Sequence, residues 1–327
     1  MTEFRHGWLK VFSELFKARL TLLVLLTTLM GFFLGSPEGV SGWLCIHALG
    51  GTSLLAAGAA ALNQWIEREH DALMRRTASR PIPSGRMDTT VVLALGVGTS
   101  VAGLVWLAVW VNLLTAFLGA ITLATYLFLY TPLKRITVLN TLVGAIPGAL
   151  PPLMGWTAAT GSLSPKGWAL FAILFFWQLP HFMAIAWIYR EEYSKAGFRM
   201  LSGIDPDGRR SAASAIRNTI ALILVSLVPF LQGVSGRIYL STALILGGLF
   251  LVHAVRFAIL LDIPSARRLF FSSILYLPVL LTFLVIDRTK EVPSPTSFPP
   301  STSTFSVPLP TAVVLNFPAP PVSECGS

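Results

Sequence analysis

The chain has 327 residues, 54% hydrophobic and 12% charged, with a mean hydropathy of +0.70 and a formal net charge of +9. A soluble domain carries about a quarter charged residues, so an ordinary water-facing surface is excluded and an integral membrane protein is expected. The two cysteines, Cys45 and Cys325, form no CxxC or Cys/His cluster, which suggests neither a disulfide framework nor a zinc site; the basic excess reads as topology and contact with membrane lipid, with no nucleic-acid partner.

The N-terminal stretch 1–19 carries Glu3, Arg5, Lys10, Glu14, Lys17 and Arg19. The apolar run after it lacks a small-residue cleavage site and reads as a retained helix. A spanning helix needs about 20 mostly apolar residues. Nine such spans are predicted, at 20–36, 42–62, 89–110, 112–130, 139–158, 167–189, 218–233, 238–261 and 269–287. Their long apolar runs show no period-two alternation, so helices are expected in place of a barrel. With the N-terminus inside, the inner segments hold 19 of the 24 Lys and Arg residues, and only Arg256 falls within a span. This places the charged loops on the cytoplasmic face of a cell inner (plasma) membrane. The expected organisation is a cytoplasmic segment (1–19), a membrane body (20–290) and a disordered Pro/Ser/Thr-rich tail (291–327) that holds nine of the 22 prolines.

The second span runs into NQWIEREHDALMRRTASRPIPSGR, residues 63–86. Asn63, Glu67 and Asp71 are spaced i, i+4, i+8. On a helix they stay within about 80° of one another and climb about 12 Å. Such an oxygen stripe suits a hard divalent cation such as Mg²⁺. The alternative is a charged interfacial loop, but topology calls for basic residues and not for acids on one helical face. Arg75, Arg76, Arg80 and Arg86 follow. Arginine forks grip phosphate oxygens, and acids beside arginines make sense where a metal and a polyanion share one site. Pro81 and Pro83 end the helix.

A second charged loop, YREEYSKAGFRML (189–201), offers Glu191 and Glu192, then Lys195 and Arg199. It reads either as a second metal site or as a solvated helix end. The short loop YTPLKRIT (130–137) adds Tyr130, Lys134 and Arg135, for phosphate or for topology alone. Two acidic clusters, arginines between them and a membrane body point to chemistry on a lipid-soluble diphosphate, whose departure from an allylic carbon leaves a carbocation needing a dry, aromatic pocket. The ring-dense FFWQLPHFMAIAW (175–187) could line such a pocket or only pack. His181 within it is costly in a span unless it finds a partner, such as a neighbouring helix.

These residues resemble the UbiA superfamily of intramembrane prenyltransferases. Its first motif runs Asn-x3-Asp-x3-Asp, then Met-x-Arg-Thr-x-x-Arg-Pro-x-Pro. Asn63, Glu67 and Asp71 fall on the polar positions, and Met74, Arg76, Thr77, Arg80, Pro81 and Pro83 on the rest. Glu67 stands where Asp is usual, as Glu192 does in the second loop. Three further stretches, YTPLKRITVLN (130–140), GAIPGALPPLMGW (144–156) and WQLPHF (177–182), are similar to the branch that acts on haem. The resemblance covers about residues 10–287. It implies an all-α nine-helix membrane bundle that transfers farnesyl from farnesyl diphosphate to a vinyl group of protohaem, giving haem O. Haem is then a substrate, Mg²⁺ the activator, and a haem A synthase the partner that takes the product.

On that resemblance Asn63, Glu67 and Asp71 hold one Mg²⁺ and Glu192, with Glu191, a second. Arg76, Arg80, Lys134 and Arg135 grip the diphosphate, Tyr130 and Lys195 are further substrate-binding residues, and His181 faces the haem. If the chain is eukaryotic, the membrane is the mitochondrial inner one. The rival enzyme is a prenyltransferase of the same architecture acting on an aromatic acid or quinone precursor. A multi-spanning transporter would need charges along a through-path, whereas here they collect at one face; a non-catalytic haem scaffold leaves the acidic stripe unexplained.

Overall fold

The computed structural model describes residues 2–36 and 39–289. Eleven helices follow in chain order: α1 (Thr2–Leu15), α2 (Ala18–Leu34), α3 (Gly42–Asp71), α4 (Thr89–Trp110), α5 (Leu113–Ile136), α6 (Asn140–Thr160), α7 (Pro165–Ile188), the short α8 (Arg190–Lys195), α9 (Arg209–Leu231), α10 (Arg237–Leu260) and α11 (Ile263–Ile286). Among the described residues there is no strand, only one isolated bridge between Ser235 and Arg288. Eight helices are each long and apolar enough to cross a membrane, and α2 joins them as a ninth when taken with α1, from which it bends by 54°. The fold is the expected all-α membrane bundle. The tail at 291–327 lies outside the described residues.

The helices begin where the sequence supplies caps. Ser41, Asp88, Asn112, Ser164 and Asp262 each accept a backbone N–H from the first turn that follows, satisfying donors that a helix start leaves open. The Thr90 and Val91 amides also hold the Asp88 carboxyl below its ordinary range. Asn112 makes the tight α4–α5 turn possible: its Oδ1 accepts from Thr115 at 2.8 Å and its Nδ2 donates to the Thr157 carbonyl at 2.9 Å.

Two details differ from the sequence expectation. Helix α3 runs nine residues past the predicted 62, so the whole carboxylate stripe is helical. Helix α9 starts at Arg209, not near 218, because the loop ahead of it is tied down by Asp205, whose Oδ2 accepts from the Ser211 amide at 2.8 Å. Arg256 falls within the span of α10, as expected; it lies four residues before the helix's C-terminal end and is exposed, so its side chain reaches toward the end of the bundle that carries the loop before α11.

In lipid the apolar side chains gain nothing by leaving their solvent, so helices associate through close packing and hydrogen bonds. Helix α6 is the most buried span and α7 the next. A Cβ on Gly31 of α2 would run into the Pro152 carbonyl of α6, and one on Gly155 of α6 into the Thr28 carbonyl of α2. Between α3 and α4, a Cβ on Gly103 would sit 2.8 Å from the Leu55 amide nitrogen. The α7–α9–α10–α11 group buries Tyr239, Phe250 and Tyr276. There the Tyr239 hydroxyl donates to the Ser226 carbonyl at 2.8 Å, and Tyr276 Oη lies 3.0 Å from Ser226 Oγ. The outward faces of α4 and α10 expose Val97, Val101, Val105, Ile245, Leu249 and Val252, as a lipid-facing surface should.

Candidate active site

The charged end of the bundle opens into a cavity of ≈ 510 Å³. Its polar end is the stripe on α3. Asn63, Glu67 and Asp71 are 1%, 4% and 1% exposed and all line the cavity. Burying two carboxylates is costly unless each is paired, and each is. Lys134 Nζ donates to Glu67 Oε1 at 2.7 Å, and Arg80 Nη1 to Asp71 Oδ2 at 2.5 Å. Asn63 Oδ1 accepts from Lys17 Nζ at 2.8 Å, and its Nδ2 donates to Thr131 Oγ1 at 3.2 Å.

Local structure explains how these partners arrive. Thr77 Oγ1 donates to the Asp71 carbonyl at 2.8 Å, which turns the chain after α3. Pro81 and Pro83 then stiffen the return. Arg80 therefore folds back on Asp71, nine residues earlier. A π-helical segment, Thr125–Tyr130, lies inside α5. Such a bulge shifts the register of the turn that follows it, and Tyr126, Tyr130 and Lys134 line the cavity together. The two tyrosine rings stack with centroids 5.7 Å apart, and Lys134 Nζ sits 4.4 Å from the Tyr130 centroid. Lys17 lies at the α1–α2 bend with φ 47°, a left-handed conformation that costs a side-chain-bearing residue about 1–2 kcal/mol.

The second charged loop is divided by its short helix. Arg76 Nη2 donates to Tyr193 Oη at 3.1 Å, and its guanidinium lies 5.5 Å from the Tyr189 centroid and 5.7 Å from that of Tyr193. Burial raises the Tyr193 phenol above its ordinary range. Tyr193 and Phe198 line the cavity, whereas Glu191, Glu192 and Lys195 do not. Successive helical residues turn by about 100°. With Tyr193 facing in, Glu192 stands to the side, and Glu191 and Lys195 fall near the opposite face. The same turn takes Arg135 out to solvent while Lys134 faces in. Among the described residues no group of three His, Cys, Asp or Glu side chains is placed to hold a metal. Glu67 and Asp71 with the Asn63 amide are still an all-oxygen set on one face, which fits a Mg²⁺ that completes its shell with water or phosphate oxygens.

Away from the charges the cavity turns apolar, between α2, α6 and α7. Pro147 and Pro151 line it, as do Trp177, Gln178, His181 and Phe182. Gln178 Nε2 donates to the Ala145 carbonyl at 2.7 Å, and a Cβ on Gly148 would strike Gln178 Oε1, so the glycine leaves room for the amide. Lys17, Tyr126 and Gln178 line the cavity beyond the site residues that the sequence marks. Tyr126 carried a usable signal, standing four residues before Tyr130 on the same helical face. Lys17 carried none, because it is one of several charges in an interfacial segment.

The UbiA prenyltransferase family matches residues 24–275. The chain belongs to this family. Over 287 residues it is 51% identical to a protoheme IX farnesyltransferase of Solibacter usitatus, covering 85% of this chain and 98% of that one. It is 38% identical to the mitochondrial protoheme IX farnesyltransferase of Arabidopsis thaliana, across 88% of this chain and 67% of the relative. Among solved structures, a digeranylgeranylglyceryl phosphate synthase superposes with a TM-score of 0.73 at 16% identity, covering 85% of this chain and 98% of that one. A UbiA homologue from Archaeoglobus fulgidus bound to GPP and Mg²⁺ superposes with a TM-score of 0.60 at 15% identity, covering 84% and 99%. The chain is a multi-pass membrane prenyltransferase.

Proposed function

We propose that this enzyme transfers a farnesyl group from farnesyl diphosphate to a vinyl group of protohaem, giving haem O. The observation that carries this is one cavity that joins a cation-rich carboxylate stripe to an apolar, aromatic hollow. The acceptor is assigned from relatives of this chain that carry the name protoheme IX farnesyltransferase at 38–51% identity.

The diphosphate lies at the charged end. Arg76, Arg80 and Lys134 present cations to its oxygens, with the Lys17 amine as a further donor, and stabilise the negative charge that grows on them as the C1–O bond breaks. Arg80 and Lys134 also pair with Asp71 and Glu67 and hold them in place. Asn63, Glu67 and Asp71 would hold Mg²⁺, whose chemistry is to neutralise charge on the departing diphosphate; the A. fulgidus homologue bound to GPP and Mg²⁺ supports this assignment. Glu192 and Glu191 are proposed for a second metal on their charge and their place beside Tyr193 alone. Arg135 and Lys195 are proposed as outer cations of the same surface.

The farnesyl chain occupies the apolar hollow. Tyr126, Tyr130 and Phe198 set ring faces near the charged end, suited to the allylic cation. Exclusion of water there prevents its premature capture. C1 bonds to the terminal vinyl carbon, hydroxide from water adds to the inner vinyl carbon, and the remaining proton leaves with solvent. Diphosphate is the other product. The basic end of the bundle faces the cytoplasm of a cell inner membrane, or the matrix if the chain is mitochondrial, and a haem A synthase is the partner that takes the product.

The test is the mass of the product formed by membranes containing the chain, given farnesyl diphosphate with either protohaem or 4-hydroxybenzoate. Protohaem gaining one farnesyl and one hydroxyl is expected. A prenylated benzoate with unaltered haem would reassign the enzyme to the aromatic-acid branch.

A further inference from the structure

His181 is the one imidazole on the cavity wall among the described residues, and its hydrogen bonds determine which nitrogen carries the proton. Nδ1 lies 2.7 Å from Ser273 Oγ on α11. Ser273 Oγ also lies 2.6 Å from the Phe270 carbonyl oxygen. Two oxygens at that separation need a hydrogen between them, and a carbonyl has none to offer. The serine's single hydrogen is therefore spent on Phe270. The hydrogen between Oγ and Nδ1 must come from the ring, and the neutral imidazole is the Nδ1–H tautomer with a bare lone pair on Nε2.

That lone pair has no protein partner among the described residues, and it is not sealed inside the protein. The ring itself is fixed. It stacks on Trp177 at 5.2 Å and on Phe270 at 4.8 Å between centroids. Trp177 is tied in turn, with Nε1 donating to the Ser273 carbonyl at 2.8 Å. One residue on α11 thus orients both the imidazole and the indole from α7. A helix-to-helix contact alone would be served by Nδ1; it does not explain a rigid ring with an unused Nε2 lone pair at a cavity wall. An imidazole held by a hydrogen bond from one nitrogen, with the other free, is the usual arrangement of a metal ligand.

Resting on the reading of protohaem as acceptor, we infer that His181 Nε2 is the axial ligand that docks the haem iron, with Ser273 as its positioning residue. Iron ligation anchors the porphyrin plane above the α7–α11 wall and leaves its vinyl edge to be presented toward the charged end. The assignment also gives the apolar half of the cavity a chemical selectivity for a metalloporphyrin over a phenolic acid of similar polarity.

The full-length chain, purified in detergent without farnesyl diphosphate, is titrated with ferrous protohaem and read by absorbance and resonance Raman. The wild type is expected to show an iron–imidazole stretch. In His181→Ala that band disappears, the dissociation constant rises at least about tenfold, and added imidazole restores the band. In Ser273→Ala the band persists but shifts to lower frequency, because Nδ1–H has lost its acceptor; a purely structural serine would not move it. A wild-type spectrum without the band, or one unchanged in His181→Ala, overturns the assignment even when membranes still make farnesylated haem. Absence of that product from wild-type membranes overturns the functional reading itself, and the assignment with it.

Discussion

Neutralising Glu67 separates the structural from the chemical role of the buried pair. Its side chain is 5% exposed and that of Lys134 12%, with 2.7 Å between Nζ and Oε1. Removing one partner of so buried a pair leaves an uncompensated charge and costs about 3–5 kcal/mol. Glu67→Gln should therefore unfold at clearly lower temperature or denaturant than the wild type. Replacing both charges, as Glu67→Gln with Lys134→Met, removes the lone cation, and stability should return to within about 1 kcal/mol of the wild type. Transfer should not return. The double variant lacks a metal oxygen and a phosphate cation, and loss of one such transition-state group costs about 10²–10³ in rate. The assay pairs melting in detergent with turnover of farnesyl diphosphate and protohaem in the same preparation. A double variant with wild-type turnover would show that the pair only holds helices together. A single variant as stable as the wild type would refute the burial argument.

Asp71→Ala should abolish transfer while membrane fractionation still finds the chain inserted; retained Mg²⁺-dependent turnover would remove Asp71 from the site. Lys17→Gly relieves about 1–2 kcal/mol of left-handed strain but leaves Asn63 Oδ1 without its donor, which costs about 1–3 kcal/mol, so thermal stability should change little, while turnover falls through loss of the donor at Asn63; unchanged turnover would make Lys17 structural. Glu192→Gln should raise the Mg²⁺ concentration for half-maximal turnover without altering the melting temperature, and an unchanged Mg²⁺ titration would exclude it as a ligand. Gly31→Ala, driven into the Pro152 carbonyl, should cost about 1–3 kcal/mol. Gly98→Ala, with nothing within 4 Å of the added Cβ, serves as the neutral comparison in the same thermal melts.

Much of this protein is legible in its chain. A charged fraction half the usual value leaves no way to cover a water-facing surface, and lipid offers no partner to an open backbone, so a helical bundle follows from composition. The bias of Lys and Arg groups the loops at one end. The i, i+4, i+8 spacing aligns Asn63, Glu67 and Asp71 because a helix repeats every 3.6 residues; hydropathy alone ends α3 too early and starts α9 too late, since a charged helical turn outside the membrane looks like a loop in a hydropathy trace. What only the tertiary structure decided is which charges meet. Lys134 and Lys17 reach the stripe from 67 and 46 residues away, and no local period encodes such distances. The six-residue α8 turns Tyr193 inward and Glu191 and Lys195 away, a choice of face that two adjacent acids cannot announce. His181 acquires its tautomer from Ser273, 92 residues on. Periodicity is a property of one helix and can be read along it; the pairing of a buried charge depends on which other helix packs there, and that is a property of the bundle.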